Sequence, residues 1–297
     1  MTFFINDPDG AHTDQAIRDL PHNMRYRAFN ENLWARYQPS GDGDDHFLKD
    51  GKIHFHQRFW EMYLFCALED RGTSVQKTMG GQNGGPDFSL KIGATKYWIE
   101  ATAPKAGNKD DRVPFPVKGA ANYVPRELIL LRYTNALDTK FGKWFEWIEK
   151  KVVSSDDGYI IAINGLGIPD ATCGFEYPYI IQSLYPVGPF AVNVDRESLA
   201  VSEPYLRYEG AIKKQNRKSV TTAPFIDERY AAISGVIHSF AGYSSYASPL
   251  GYDFLLLRNP RARHPLPIGS LSWCTPYSFE NGQLTCQSIS SAGRCGE

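Results

Sequence analysis

Residues 84–102 read GGPDFSLKIGATKYWIEAT. Apolar and aromatic residues dominate positions 88–92 and 96–101, which predicts two short β-strands. The Gly-Ala-Thr segment between them is short enough for a tight turn, so the two strands are expected to form a β-hairpin. Asp87 directly precedes the first strand, and Glu100 lies at the end of the second, thirteen residues later. The hairpin therefore places two carboxylates side by side.

Two neighbouring carboxylates are a suitable ligand set for magnesium. Mg²⁺ takes hard oxygen ligands, usually one or two carboxylates together with waters and substrate phosphate. Two nearby acids also repel each other, which raises the pKa of at least one of them unless a cation lies between them. We therefore expect Mg²⁺, with Mn²⁺ as a substitute, at Asp87 and Glu100. A plain turn is the alternative interpretation of Asp87, because Asp after Pro is an ordinary turn former.

The residues before the hairpin predict a helix, a strand and a turn. Apolar side chains in 54–70 recur at spacings of three and four, which is typical of a helix. Glu61 lies in the middle of this helix, and Gly72 follows as a stop. A short strand is predicted at 74–79. The glycine-rich segment 80–85 is interpreted as a tight turn, because no phosphate-loop GK[ST] sequence follows it.

The residues after the hairpin predict a long helix and a buried strand. The helix spans about 125–151, and Pro125 suits its first turn. Residues 159–164 read YIIAIN, an almost continuously apolar run that favours a strand buried on both faces. The order of elements predicts an α/β fold with a mixed central sheet flanked by helices.

The chain of 297 residues contains no internal repeat and no low-complexity linker. Its length suits one large domain or two modest ones, and we expect a single domain over residues 1–297. It would consist of an irregular or helical N-terminal arm (1–50), a core (54–164) and a C-terminal extension of the sheet and loops (165–297). Strands in the extension are predicted at 191–194, 232–239 and 252–258, and residues 275–297 are weakly patterned.

The core resembles that of the PD-(D/E)xK nuclease superfamily, also called restriction-endonuclease-like. The matching residues are Pro86-Asp87 and Glu100-Ala101-Thr102, and Glu61 stands for the acid that many members carry on their first helix. The resemblance covers about residues 54–164. It implies a restriction-endonuclease-like sheet and Mg²⁺-dependent hydrolysis of phosphodiester bonds, with Asp87, Glu100 and Glu61 as metal ligands.

The chain departs from the family at the third motif position, where a lysine is expected and Thr102 stands instead. In the family this lysine positions or helps to deprotonate the attacking water and stabilises charge on the phosphate. Thr102 can hydrogen-bond a water but carries no charge. Some members supply the lysine from the following helix, and Lys140 is the best substitute here. Arg132, Ala136 and Lys140 are spaced to share one helix face.

Net charge is −1, which gives no overall attraction to nucleic acid. A nuclease of this composition needs a local basic surface, for which solvated loops are the alternative interpretation. Arg132 is expected to bind phosphate, although pairing with Glu127 or Asp138 is also open. Two further clusters are candidates: Lys105, Lys109, Arg112 and Lys118, and the KKQNRK segment at 213–218.

No apolar run is long enough for a transmembrane helix, and the first residues lack the features of a signal peptide. The five cysteines are scattered and form no CxxC pair, so neither a zinc site nor a disulfide framework is indicated. A reducing, cytoplasmic setting is expected, with Cys66 and Cys173 as buried thiols. His54 and His56 could form part of a metal site, but capping or packing is favoured.

These observations lead to two hypotheses of different classes. The first is a DNA endonuclease of a bacterial or phage restriction or defence type, and cutting both strands would favour a homodimer. The second is a catalytically degenerate nuclease fold that binds nucleic acid or protein, because loss of the motif lysine is how degeneration would begin. The two differ in whether Lys140 projects toward Asp87 and Glu100. An unrelated α/β hydrolase is disfavoured because no GxSxG motif is present.

Overall fold

The computed structural model describes residues 3–4, 16–17, 20–38, 45–78, 84–108, 111–174, 176–214 and 216–286. In this part of the chain an eight-stranded mixed sheet is flanked by helices. The helices are α1 (Met24–Tyr37), α2 (Asp45–Ile53), α3 (Phe55–Asp70), α4 (Arg126–Glu149) and α5 (Tyr179–Leu184). Within the same ranges, no helix is long and apolar enough to cross a membrane.

The large sheet has the strand order β1-β2-β3-β4-β9-β10-β11-β12. Its first half comprises β1 (Val75–Lys77), β2 (Phe88–Ile92), β3 (Thr95–Thr102) and β4 (Gly158–Asn164). Its second half comprises β9 (Gly235–Ser239), β10 (Leu255–Arg258), β11 (Thr275–Glu280) and β12 (Gln283–Cys286). Two small antiparallel pairs lie outside it: β5 (Val187–Ala191) with β6 (Tyr205–Tyr208), and β7 (Ala211–Lys213) with β8 (Ser219–Thr221).

The middle of the sheet is parallel and its ends are partly antiparallel. β1, β2 and β3 form an antiparallel meander, whereas β3, β4 and β9 pair in parallel. Parallel neighbours need a crossover connection, and α4 supplies it between β3 and β4. Every residue of β4 is buried, which explains the apolar run at 159–164.

The sheet separates two hydrophobic cores. Tyr97, Ile99 and Ala101 of β3 pack in the core that contains α1 and α3. Trp98 packs in the opposite core, which contains α4 and α5. Because side chains alternate along a strand, Glu100 is placed on the α4 side of the sheet. The fold thus directs the second acid of the hairpin toward the helix that carries Lys140.

The predicted core elements are confirmed, including the helix at 54–70, the hairpin, the long helix and the buried strand. Ile92 pairs with Thr95, so the hairpin loop is two residues long rather than three. Gly93 in that loop has a φ of +62°, which favours glycine. The N-terminal arm is helical, and α1 buries Leu33, Trp34 and Tyr37 in the core. Residues 39–44 and 79–83, within predicted loops, lie outside the described residues.

Three predictions outside the core need correction. The strand expected at 191–194 is instead β5, which ends at Ala191, while Val194 forms only an isolated bridge with Val201. Gly188 and Pro189 hide this strand in the sequence, because both residues are rare within strands except at irregular edges. The weakly patterned C-terminal region supplies β11 and β12. Cys66 is buried as expected, but Cys173 is exposed because it lies in a turn.

A carboxylate and lysine cluster as the candidate active site

The hairpin fixes Asp87 beside the end of β3. The Asp87 Oδ2 atom accepts a hydrogen bond from the backbone N–H of Ala101, at 2.7 Å. The backbone oxygen of Asp87 accepts one from Thr78 at 2.9 Å, which joins it to the end of β1. Ala101 follows Glu100 directly, so the two predicted acids are neighbours in space as well as in pattern.

Lys140 reaches this pair from α4. Its Nζ atom donates a hydrogen bond to Glu100 Oε1 at 2.6 Å, and Lys143 Nζ lies 3.9 Å from the same oxygen. The side chains of Lys140 and Glu100 are only 13% and 6% exposed, so the ion pair is shielded from water. The predicted substitute for the motif lysine therefore projects into the cluster.

The second oxygen of Glu100 has no comparable partner. Glu100 Oε2 is buried and forms no hydrogen bond with any described residue. Buried polar atoms are usually hydrogen-bonded, and an unsatisfied one needs an explanation such as a missing ion or water. This oxygen lies on the carboxylate that sequence analysis predicts as a metal ligand.

The charges of the cluster shift one another's pKa. Burial, and then the charge of Glu100, raise the pKa of Asp87 to about 7, although Lys140 opposes the shift. Burial also raises the pKa of Glu100 against the effect of Lys140. For Lys140, burial lowers the pKa, but Glu100, Asp87 and Glu61 together raise it above its usual value. Lys140 therefore stays protonated at neutral pH, whereas Asp87 exchanges its proton in this range.

Glu61 is close to the cluster but has partners of its own. Arg58 Nη1 donates to its two oxygens at 3.0 and 2.8 Å, and Gln57 Nε2 donates to Oε1 at 2.9 Å. Arg58 is also paired with Asp50 at 2.7 Å. Burial, and then the charge of Asp87, raise the pKa of Glu61 to about 7, so the two acids interact electrostatically. The structure brings Glu61 near Asp87 and neutralises it with an arginine.

Sequence analysis missed Gln57 and Arg58, although their spacing contained a signal. They precede Glu61 by four and three residues, and such neighbours meet on a helix surface. Gln57 also accepts a hydrogen bond from Ala103 N at 2.7 Å and donates to Ala101 O at 3.3 Å. Gln57 thereby ties α3 to the end of β3, next to the carboxylates.

The carboxylates do not form a larger ligand cluster. In the described ranges, no group of three or more His, Cys, Asp or Glu side chains is arranged to hold a metal ion. His56 Nε2 lies 3.0 Å from Asn164 Oδ1, and His54 Nδ1 lies 3.3 Å from Lys105 Nζ, so the two histidines have separate partners. A metal at this site would depend on Asp87 and Glu100, completed by water and substrate oxygens, as Mg²⁺ sites commonly are.

The other predicted residues lie along α4 and the loop before it. Thr102 is half-buried, two residues beyond Glu100 on the same strand. Arg132 Nε donates to the backbone oxygen of Lys105 at 2.9 Å instead of pairing with Glu127 or Asp138. Asp138 accepts a hydrogen bond from Tyr230.

The remaining basic residues are less well connected to the cluster. Lys118 is exposed on the loop before α4. Lys109 and Gln215 fall outside the described residues. Lys213 and Lys218 lie on the separate β7–β8 hairpin, away from the large sheet. These positions add no contact to the carboxylate and lysine cluster.

No protein-family model matches the chain, and comparisons with curated proteins and with solved structures give no significant match. The functional argument therefore depends on the geometry of the site.

Proposed function

We propose that the protein is a metal-dependent phosphodiesterase that cleaves nucleic acid, in the first place a DNA endonuclease of the restriction or defence type. The observation that carries the proposal is the 2.6 Å contact between Lys140 Nζ and Glu100 Oε1, beside Asp87. Two acids and one lysine are the residue types that this chemistry needs, and here three separate elements supply them. Cleavage of both strands would favour a homodimer.

The order of elements supports a restriction-endonuclease-like fold. Helix α3 with Glu61 is followed by the meander that holds Asp87 and Glu100, then by α4 and the buried parallel strand β4. This order corresponds to the resemblance over residues 54–164. The strands β9 to β12 extend the sheet beyond that region.

The residues present fit a hard divalent cation. Asp87 and Glu100 would hold Mg²⁺, and Glu100 Oε2 is a buried carboxylate oxygen without a hydrogen-bond partner among the described residues. When bound, such an ion lowers the pKa of a water ligand and offsets charge developing on the phosphate. A cation would also favour the ionised forms of the two acids, whose pKa values are raised.

The protonation states assign different roles to the side chains. Lys140 keeps its proton, because Glu100 and Asp87 raise its pKa. It therefore acts as a hydrogen-bond donor and a positive charge toward the phosphate rather than as a base. Asp87, with a pKa of about 7, is suited to accept a proton near neutral pH. Thr102 supplies a hydroxyl that can orient a water, and Arg58 holds Glu61 in place.

A second candidate function is a nucleic-acid-binding or protein-interaction module without catalysis. It is favoured by a specific observation: the acids are already neutralised by cations of the chain, Glu100 by Lys140 and Glu61 by Arg58. A fold that had lost its metal could retain its acids in this way.

Cleavage of plasmid and linear DNA with Mg²⁺ or Mn²⁺ distinguishes the two functions. We expect the wild type to cut and Asp87→Ala and Glu100→Ala to lose roughly 10²–10³-fold in rate, the usual effect of removing one preorganised electrostatic contact. Asp156→Asn, which changes an exposed acid, is the matched control. A folded wild type that cuts with neither metal would refute the nuclease and favour the binding module.

A further inference from the structure

A second basic site lies near α4, toward the N-terminal end of the helix from Lys140. It is a cavity of about 400 Å³ lined by Lys105, Ala106, Gly107, Asn108, Arg112 and Arg132. Three of these six residues are cationic and none is acidic. The site combines a helix residue with two cations from the loop between β3 and α4.

Contacts within the protein hold Arg132 in this cavity. Its Nε atom donates to the backbone oxygen of Lys105 at 2.9 Å. Gly107 packs so closely that a Cβ atom there would lie 2.9 Å from Arg132 Nη1, and its φ of +92° also favours glycine. Val113 is buried, and its N–H donates to Ala106 O at 2.9 Å, which closes the loop. The guanidinium is therefore positioned before any ligand arrives.

The guanidinium of Arg132 retains unused donors. Its terminal amino groups make no hydrogen bond or close ion pair with a described residue, although Asp111 is near enough to interact through its charge. Arginine presents a planar fork that binds phosphate through two parallel hydrogen bonds. A preorganised fork with two cationic neighbours is suited to an oxyanion such as a phosphodiester.

We propose that Lys105, Arg112 and Arg132 bind a backbone phosphate of the same nucleic-acid strand whose scissile phosphate lies at Asp87, Glu100 and Lys140. This inference rests on the proposed function. It adds a subsite remote from the bond that is cut, and it assigns Arg112, which was one of several loop cations in the sequence, a specific role.

The helix determines how far apart the two phosphates lie. Arg132 and Lys140 are eight residues apart on α4, which corresponds to about 12 Å along the helix axis. At a rise of about 3.4 Å per nucleotide in one strand of a duplex, this distance spans three to four nucleotides. Ala136, the residue between them on the same face, has a small side chain that leaves the path along the helix open.

The test is binding of a fluorescent 16-base-pair DNA by the full chain in EDTA, so that no cleavage occurs. Arg112 is exposed, and Arg112→Ala should leave the fold intact. We expect this variant to bind about tenfold more weakly at 0.1 M salt, and the slope of log K against log salt to decrease by about one. Arg196→Ala, which removes another exposed arginine, is the matched control.

A second arm follows cleavage under Mg²⁺, where Arg112→Ala should raise KM and leave kcat unchanged, because the subsite does not touch the bond that is cut. Unchanged affinity in Arg112→Ala, an equal loss in Arg196→Ala, or no DNA binding by the wild type would overturn the inference. If no variant cuts DNA but Arg112→Ala still binds more weakly, the cleavage proposal fails and the phosphate subsite stands.

Discussion

Glu61 on α3 and Glu100 on β3 are carboxylates of nearly equal burial, with side chains 4% and 6% exposed, but they are used differently. Both oxygens of Glu61 accept hydrogen bonds from Arg58, and Gln57 adds another. Glu100 has one oxygen on Lys140, and its other oxygen is unpartnered among the described residues. The difference indicates that Glu61 stabilises the frame of the site, whereas Glu100 retains capacity for a ligand.

The largest expected effect follows from removing the partner of Glu61. Arg58→Ala leaves a buried carboxylate without its cation, which typically costs about 3–5 kcal/mol in the free energy of unfolding. Urea denaturation measures this loss. Lys140→Ala should cost less, because Lys143 Nζ is already 3.9 Å from Glu100 and can replace the lost charge.

The double variant Arg58→Ala/Glu61→Gln provides the control. It removes the stranded charge, so it should recover part of the stability lost in Arg58→Ala. A loss below about 1 kcal/mol in Arg58→Ala, typical of an exposed ion pair, would show that Glu61 is not held as a structural carboxylate.

The pH dependence of stability sharpens the comparison next. Asp87 and Glu61 each have a pKa of about 7 in the fold, raised above the usual range of such acids by burial. The folded protein thus binds protons that the unfolded chain releases, and the free energy of unfolding should fall as pH rises from about 4 to about 7. Asp87→Asn should flatten this slope.

Urea denaturation at intervals between pH 4.5 and pH 7.5 checks this expectation. Asp156→Asn, at an exposed acid, should retain the wild-type slope. An unchanged slope in Asp87→Asn would mean that Asp87 is ionised throughout the range, which contradicts its placement beside Glu100 in a buried cluster.

The smallest effect concerns the metal. Mg²⁺ at ten times its Kd should raise the free energy of unfolding of the wild type by about 1.4 kcal/mol at pH 7.5. Glu100→Gln should lose this stabilisation, while Glu61→Gln should keep it because Arg58 and Gln57 already use the oxygens of Glu61. Thermal unfolding with and without Mg²⁺ measures both. Loss of the effect in Glu61→Gln would make Glu61 a direct metal ligand, as the sequence resemblance predicts.

The sequence predicted those parts of the site that depend on local pattern. Asp87 and Glu100 lie in one hairpin, and its strands and turn could be recognised from short-range signals. Lys140 was found because residues spaced by four share a helix face. The placement of Glu100 on the α4 side depends on which core each face of β3 meets, and only the fold determines this.

The parts that could not be predicted depend on contacts between distant segments. Asp50 completes the pairing of Arg58 from a neighbouring helix, and Gln57 bonds to backbone atoms of β3. Strand β9 joins the sheet beside β4, with Gly235 opposite Ile160, and nothing in either segment alone specifies this pairing. The unpartnered oxygen of Glu100 likewise becomes visible only when all its neighbours are placed.

Helix α4 carries both Lys140 and Arg132, which limits how the chain can tolerate insertions. Each residue added to an α-helix rotates everything beyond it by about 100°. One residue inserted after Ala136 would turn Lys140 away from Glu100 while Arg132 stayed in its cavity. Only insertions close to whole helical turns would keep both side chains on one face, and these would lengthen the separation between the two positions by about 5 Å for each turn.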